Sequence, residues 1–292
     1  MTSGRTLNFC RALYGQRHAK DKSHIDLTLI THFYCNQMTI ESVTSLLRQY
    51  ETYPDKILDR TEFIIVDDCS PLKYDLPELN LNFRWLRITT DIPWNQGGAR
   101  NLGVTFAKSD KIVMSDLDHA FPADTLKYLV NHPNPGRNFY KLWRKKPDGS
   151  IYKGHANLFF MSRARFLRFY GYDEEFSGHY GAEDYRFVKY QKYQGSRQGY
   201  LPKTVYCYER SLDREQSYHS LTRDLSANTP VDLRKKNECS LFGKEAGHSR
   251  LFLNFEWVTL AQGIRRPASI PTVRRYWRLL WWWRWLNARA AK

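Results

Sequence analysis

The segment Lys111-Ile112-Val113-Met114-Ser115-Asp116-Leu117-Asp118-His119 reads as a short apolar strand that runs straight into two carboxylates. Ile112, Val113 and Met114 suit a strand buried on both faces. Residues two apart on an extended chain project from the same side, so Asp116 and Asp118 would present paired hard oxygen ligands there. Such donors suit Mg²⁺ or Mn²⁺ held jointly with phosphate oxygens. A D-x-D on its own is equally a solvated turn; the strand before it and a similar pair upstream give it weight.

That upstream pair closes Phe63-Ile64-Ile65-Val66, which ends on Asp67 and Asp68 before Cys69-Ser70-Pro71. Further out, Asp26 to Tyr34 (DLTLITHFY) has strand composition, and Ile40, Val43, Leu46, Leu47 and Tyr50 recur at helical spacing within Thr39 to Tyr53. Trp85 to Thr89 predicts a weaker strand and Gly98 to Ala107 a helix. The order β, α, β, β, α, β predicts an α/β fold around a mainly parallel sheet. Ligands of such sheets bind outside the carboxyl ends of the strands, where both Asp pairs fall. The second half predicts strands at Asn138 to Trp143, Ala156 to Met161 and Lys203 to Tyr208. Helices are expected at Arg163 to Phe169, capped by Ser162 and stopped by Gly171, and up to Tyr193. Leu212 to Gly247 is polar and reads as long loops.

Three further groups bear on chemistry. Asp67 and Asp68 suit hydrogen bonds from a base or ribose, and equally an Asx-type turn into Ser70-Pro71. Asn95 to Gly103 (NQGGARNLG) combines backbone room at Gly98, the charge of Arg100 and a helix N-terminus, a favourable setting for an anion. It is not the dinucleotide G-x-G-x-x-G, and no P-loop exists, because Gly243-Lys244 is followed by Glu245. Glu183-Asp184 at a helix start suits a general base, and also plain compensation of the helix dipole.

The chain has 292 residues, of which 42% are hydrophobic and 15% aromatic, enough to bury a core and too apolar for global disorder. Forty-five Lys and Arg against 30 Asp and Glu leave a formal charge of +15. The five cysteines, Cys10, Cys35, Cys69, Cys207 and Cys239, form no C-x-x-C pair, which argues against a disulfide scaffold or zinc ribbon and for a reducing compartment. The first twenty residues lack the apolar core of a signal peptide, and no long apolar run occurs. A cytoplasmic protein that spans no membrane is expected.

Taken in order, FIIVDDCSP, NQGGARNLG, KIVMSDLDH and GYDEEFSGHYGAEDYRF resemble the GT-A glycosyltransferases. The likeness is to family 2 and to the chondroitin-polymerase and β-1,4-galactosyltransferase types with G-G-F-D-E-x-F and W-G-[GA]-E-D elements, and it runs from about Asp26 to His219. Tyr180 stands in place of the Trp of the second element, and Gly171-Tyr172 in place of Gly-Gly-Phe. The resemblance implies a Rossmann-like nucleotide-diphospho-sugar transferase fold and a nucleotide-sugar donor, a UDP-sugar in particular. It places Thr31 and Asp67 or Asp68 at the nucleoside, Arg100 near the donor, and Asp116 and Asp118 on Mn²⁺ or Mg²⁺. Asp184, beside Glu183, is implied as catalytic base, and His219 as third metal ligand, with His179 and His248 as competitors.

The final stretch, Pro271 to Lys292 (PTVRRYWRLLWWWRWLNARAAK), shows Tyr276, Leu279, Leu280, Trp283 and Leu286 on one helical face and Arg274, Arg275, Arg278 and Arg289 on another. That pattern predicts an amphipathic helix in the headgroup region of an anionic bilayer. The expected organisation is an extension at 1–24, a catalytic domain at 25–248 and a C-terminal helical region at 249–292. The expected function is metal-dependent, inverting sugar transfer to a glycolipid, lipopolysaccharide or capsule-type saccharide acceptor, on the inner face of the cell membrane. No nucleic-acid partner is expected, since no RRM, zinc-finger or helix-turn-helix signature occurs. The rivals are a sugar nucleotidyltransferase, which would want a basic Gly-rich loop where His32 to Asn36 stands, and a non-catalytic membrane- or nucleic-acid-binding module.

Overall fold

The computed structural model describes residues 24–154, 157–212, 224 and 226–265, all within the compact unit Ser23–Arg265. In chain order the elements are β1 (Leu27–Phe33), α1 (Glu41–Glu51), α2 (Asp55–Leu58), β2 (Thr61–Asp68), β3 (Asn82–Ile88), α3 (Gln96–Phe106), β4 (Lys111–Ser115), β5 (His119–Ala120) and α4 (Ala123–Asn131). They continue with β6 (Asn138–Lys141), β7 (Trp143–Lys145), β8 (Ile151–Tyr152), β9 (Phe159–Ser162), α5 (Arg163–Arg168), a 3-10 turn at Glu174–Phe176, α6 (Glu183–Tyr193), β10 (Arg197–Tyr200), β11 (Tyr206–Glu209), α7 (Thr229–Phe242) and β12 (Trp257–Gly263).

Eight strands form one sheet in the order β10-β6-β9-β4-β1-β2-β3-β12. Its centre is parallel, with β1 between β4 and β2 and β3 beside β2, as the alternating pattern requires. The period of two partitions the core. Leu27, Leu29, Phe63, Ile65 and Val113 point to the face covered by α1 and α4 through Leu46, Leu47, Tyr50, Leu126 and Leu129. Ile30, Ile64, Val66, Ile112 and Met114 point to the face covered by α3, α5 and α6 through Leu102, Phe166 and Phe187. Both faces of β2 are buried along its whole length, which is why FIIV carries no polar alternation. A second sheet, β5-β11-β7-β8, starts at the residue after Asp118.

Two expectations change here. Leu212 to Gly247 holds the helix α7, with Pro230 in its first turn. Only Lys235 of α7 is buried, so the helix has no apolar stripe to betray it. It docks through charge: Lys235 Nζ lies 2.7 Å from Asp173 and 3.2 Å from Glu175, and Asp232 pairs with Arg186. The boundary expected after residue 248 is also displaced. Trp257–Gly263 is a strand, antiparallel to β3 at the sheet edge, so the sheet continues into what was expected to be a helical region. The helix expected over 271–292 lies outside the described residues. No helix among the described residues is long and apolar enough to cross a membrane.

Candidate active site

Two strand ends and two helix starts converge at one edge of the parallel sheet. β2 ends at Asp67 and Asp68. Asp67 is fully buried, and its carboxylate accepts from Ser70 N (2.8 Å), Tyr74 Oη (2.6 Å) and Arg87 Nη1 (2.7 Å). The turn reading therefore describes Asp67, whose oxygens are committed to protein rather than to a base. Asp68 faces Asn95 Nδ2 at 3.4 Å. Burial, with the neighbouring Asp67 charge, pushes its carboxyl up to about 8 against hydrogen bonds from Asn95. Thr31, on β1 in register with Ile65 and Ser115, is almost enclosed and lines a small cavity with Val43, Leu46, Tyr50 and Leu117.

Gly98 packs closely within the chain. A Cβ there would overlap Asn95 Oδ1 and stand 2.7 Å from Phe255 Cε1, so the glycine lets these two side chains approach the backbone of α3. Gly103 serves the same end, since its absent Cβ lets α3 lie on Ile30 of β1.

Arg100, at the start of α3, is 1% exposed and holds the site together. Its Nη2 lies 2.6 Å from Asp116 Oδ1, and its Nη1 donates to Asp184 Oδ1 at 2.8 Å and to Tyr172 Oη at 3.3 Å. A guanidinium presents several donors in a rigid fork and so can serve two carboxylates at once. Asn157 donates to the other oxygen of Asp116. Burial alone would raise the Asp116 carboxyl; Arg100, His32 and His119 outweigh it and hold the group well below the usual range. Arg100 therefore meets the site as the residue that places Asp116 and Asp184, both of which keep some exposure, 24% and 20% of their side chains.

The D-x-D segment is not extended. His119 N bonds back to Asp116 O at 3.3 Å, and this tight turn swings His119 to the side of both carboxylates. Asp116, Asp118 and His119 each bring a ligand atom within 4.8 Å of the others, and His119 Nδ1 lies 2.8 Å from Asp118 Oδ1. Two carboxylates and an imidazole form a donor set that fits Mn²⁺ or Mg²⁺, the nitrogen favouring Mn²⁺. His219 lies outside the described residues. His248 is elsewhere, stacked on Tyr190 at 3.9 Å and 3.7 Å from Asp173; burial lowers it to about 4. His179 is exposed, and its carbonyl accepts from Asn228 Nδ2 at 3.1 Å. A histidine directly after a D-x-D was the signal for His119, legible once a turn rather than a strand is assumed.

Gly181 and Ala182 both adopt left-handed backbone (φ 93° and 77°) and turn the chain into α6, so that Glu183 and Asp184 occupy its first turn. Gln96 donates to Glu183, whose carboxyl is raised by burial and by the Asp184 charge. Asp184 thus faces Arg100 and the D-x-D, while Glu183 is turned into protein. Asn101 fixes the preceding loop: its Nδ2 donates to Tyr172 O and Glu174 Oε1, and its Oδ1 accepts from Tyr172 N. Asn101, Asn157, Tyr172 and Gln96 carry no recognisable chemistry in sequence; their partners lie 41 to 87 residues away. Tyr180 rests against Trp94 (4.8 Å between centroids), itself in left-handed backbone.

This assembly agrees with a sequence comparison, in which the family described as "Glycosyl transferase family 2" matches residues 28–193. The chain belongs to glycosyl transferase family 2. It is a glycosyltransferase with a GT-A fold. Among solved structures, Staphylococcus aureus TarS 1-349 in complex with UDP-GlcNAc is similar at 17% identity, with a TM-score of 0.53 over 74% of this chain and 67% of that one. A further structure of S. aureus TarS is similar at 17% identity and TM-score 0.49, over 74% of this chain and 40% of that one. GalNAc-T7 with UDP, GalNAc and Mn²⁺ is similar at 13% identity and TM-score 0.44, over 75% and 52% of the two chains. No curated protein sequence matches the chain significantly.

Proposed function

We propose that this family 2 enzyme transfers a sugar from a UDP-sugar to a hydroxyl of a glycan acceptor with inversion, and that Asp184 is the base. The observation that carries the reading is the fork of Arg100, which sets Asp116 of the D-x-D and Asp184 of α6 on one buried guanidinium. Donor-side and acceptor-side carboxylates are thereby held in fixed relation, and a single displacement needs them so. The fold likeness to TarS, described with UDP-GlcNAc, supports a UDP-sugar as donor. Asp184 takes the proton of the attacking hydroxyl as the new C1–O bond forms and the C1–O bond to the diphosphate breaks. Asp118 and His119, with Asp116, would hold Mn²⁺ or Mg²⁺, which when bound supplies positive charge beside the diphosphate leaving group. The acceptor class we assign is a glycolipid, lipopolysaccharide or capsule-type saccharide. We place the enzyme at the cytoplasmic membrane surface, on the pattern of its terminal Trp and Arg residues.

Release of UDP from UDP-GlcNAc and related donors, followed with and without Mn²⁺, tests this. Asp184→Asn is expected to keep donor affinity and lower kcat by about 10²- to 10⁴-fold. Release of pyrophosphate in place of UDP would assign a nucleotidyltransferase, and unchanged turnover of the variant would remove Asp184 from the base role.

A further inference from the structure

The second sheet turns one face into the core and the other to solvent. On β11 the burial alternates, Cys207 being buried while Tyr206 and Tyr208 are not, and on β7 Trp143, Arg144 and Lys145 all keep partial exposure. Register puts Trp143 opposite Tyr206 and Lys145 opposite Tyr208, so these four share the outer face. Tyr200 joins them, its ring 5.1 Å from Trp143. Tyr200 and Tyr208 are 38% and 40% exposed.

Each cluster of rings has a lysine. Lys145 Nζ lies 5.3 Å and 5.9 Å from the ring centres of Tyr206 and Tyr208, Lys203 Nζ 5.3 Å from Trp143, and Lys146 Nζ 4.3 Å from Tyr152 in the adjoining hairpin. Among the described residues no ion pair joins Lys145, Lys146 or Lys203 to a carboxylate. Three acids stand nearby, and the charge of Asp148 reaches Lys146 and that of Asp124 reaches Tyr206. Asp148 in the hairpin turn is engaged by Ser150, Glu209 faces the other side of the sheet toward Arg144, and Asp124 stands at the start of α4 near Tyr206.

We infer that this outer face, Trp143, Lys145, Tyr200, Lys203, Tyr206 and Tyr208, binds an acidic polysaccharide. The carbon-bound hydrogens of a pyranose face pack on an aromatic ring, and a carboxylate or phosphate on that sugar then meets the ammonium beside the ring. Neutral glycans would use the rings alone and leave the lysines without a role; a nucleic acid would want rings spaced for successive bases. The second sheet adjoins the active site at its edge, where His119 pairs with Glu209 on the face away from these rings. β11 pairs with β5 directly after the D-x-D, and Arg210, one residue past β11, donates from its N to Asp118 O at 2.7 Å and from Nη1 to Leu117 O at 2.8 Å. A saccharide on this face would therefore lie on a sheet whose edge strand follows directly after the D-x-D turn. This inference rests on the glycosyltransferase reading above and names the charge class of its acceptor.

The test uses the full-length protein and alginate oligosaccharides, with neutral dextran, poly(dT) and phosphatidylglycerol vesicles as comparison probes and UDP release as an independent readout. Tyr206→Ala/Tyr208→Ala and Lys145→Gln/Lys203→Gln are each expected to weaken alginate binding at least about tenfold. Tyr206→Phe/Tyr208→Phe should keep it, and UDP release by donor hydrolysis, measured without any saccharide added, should be unchanged in all three. Lys56→Gln/Lys192→Gln, which removes as much charge from exposed positions elsewhere, should change affinity less than about twofold. Equal alginate affinity in the wild type and the face variants would overturn the inference, as would tighter binding of poly(dT) or vesicles with the same residue dependence. Loss of UDP release from the wild type would instead strike the enzymatic reading.

Discussion

At the scale of single residues, Arg100 is the one on which the site depends. It is fully enclosed, yet two carboxylates and a phenol oxygen share its guanidinium. Truncating one partner of a buried ion pair leaves the other charges uncompensated, so Arg100→Ala should cost about 3–5 kcal/mol, read as a shift in the urea midpoint. Arg100→Lys keeps the charge but has one compact ammonium where two carboxylates need a fork. It should recover part of the stability while transfer stays low, which separates placement from simple charge balance.

Asp68 offers a second prediction at this scale. Its folded pKa, about 8, lies above that of an unfolded Asp, so the native state keeps a proton that the unfolded state has lost between about pH 4 and pH 8. Stability from this group is fully present below about pH 4 and is lost as pH rises toward 8. Asp68→Asn should flatten the decline of the unfolding midpoint between pH 5 and pH 8. A decline as steep in the variant would show that Asp68 is ionised in the native protein.

At the scale of elements, α7 and the loop before α6 are fastened by charge rather than by apolar area. Lys235 and Asp173, both nearly inaccessible, join α7 to the 3-10 turn, and Asp173 also accepts from Ser249 N. Lys235→Met should be strongly destabilising, by about 3–5 kcal/mol, because Asp173 is then left buried without its cation. Adding Asp173→Asn should return part of the loss, an interaction energy measurable by a double-mutant cycle. The same elements show the reach of local reading. β1, β2, β4 and α6 were legible because their burial is written in β-branched runs and in the glycines and acids at their ends. α7 was not, because its apolar periodicity is absent; β12 was not, because an edge strand needs a partner that lies far away in sequence.

For the molecule as a whole, much of the excess positive charge gathers in one stretch of the sequence. The Arg- and Trp-rich run at 271–292 carries the pattern of an interfacial helix. Removing it should release the protein from phosphatidylglycerol vesicles and leave UDP release intact, since each residue assigned to the site lies earlier in the chain. Vesicle binding by the shortened protein equal to that of the full chain would remove the membrane assignment.

The sequence by itself determined the fold class and the order of the chemistry-bearing segments. Strands buried on both faces must be continuously apolar, and the carboxylates that end them must then emerge together at one sheet edge. Which carboxylates remain available there was decided only by tertiary structure. Asp67 is consumed by Ser70, Tyr74 and Arg87, Glu183 is turned onto Gln96, and Asp184 is drawn to Arg100. His119 enters the D-x-D cluster because the chain turns where an extended segment was expected. Hydrogen bonds and ion pairs between residues dozens of positions apart depend on angles and distances that no local pattern encodes, whereas burial of apolar runs depends on composition that every short window displays.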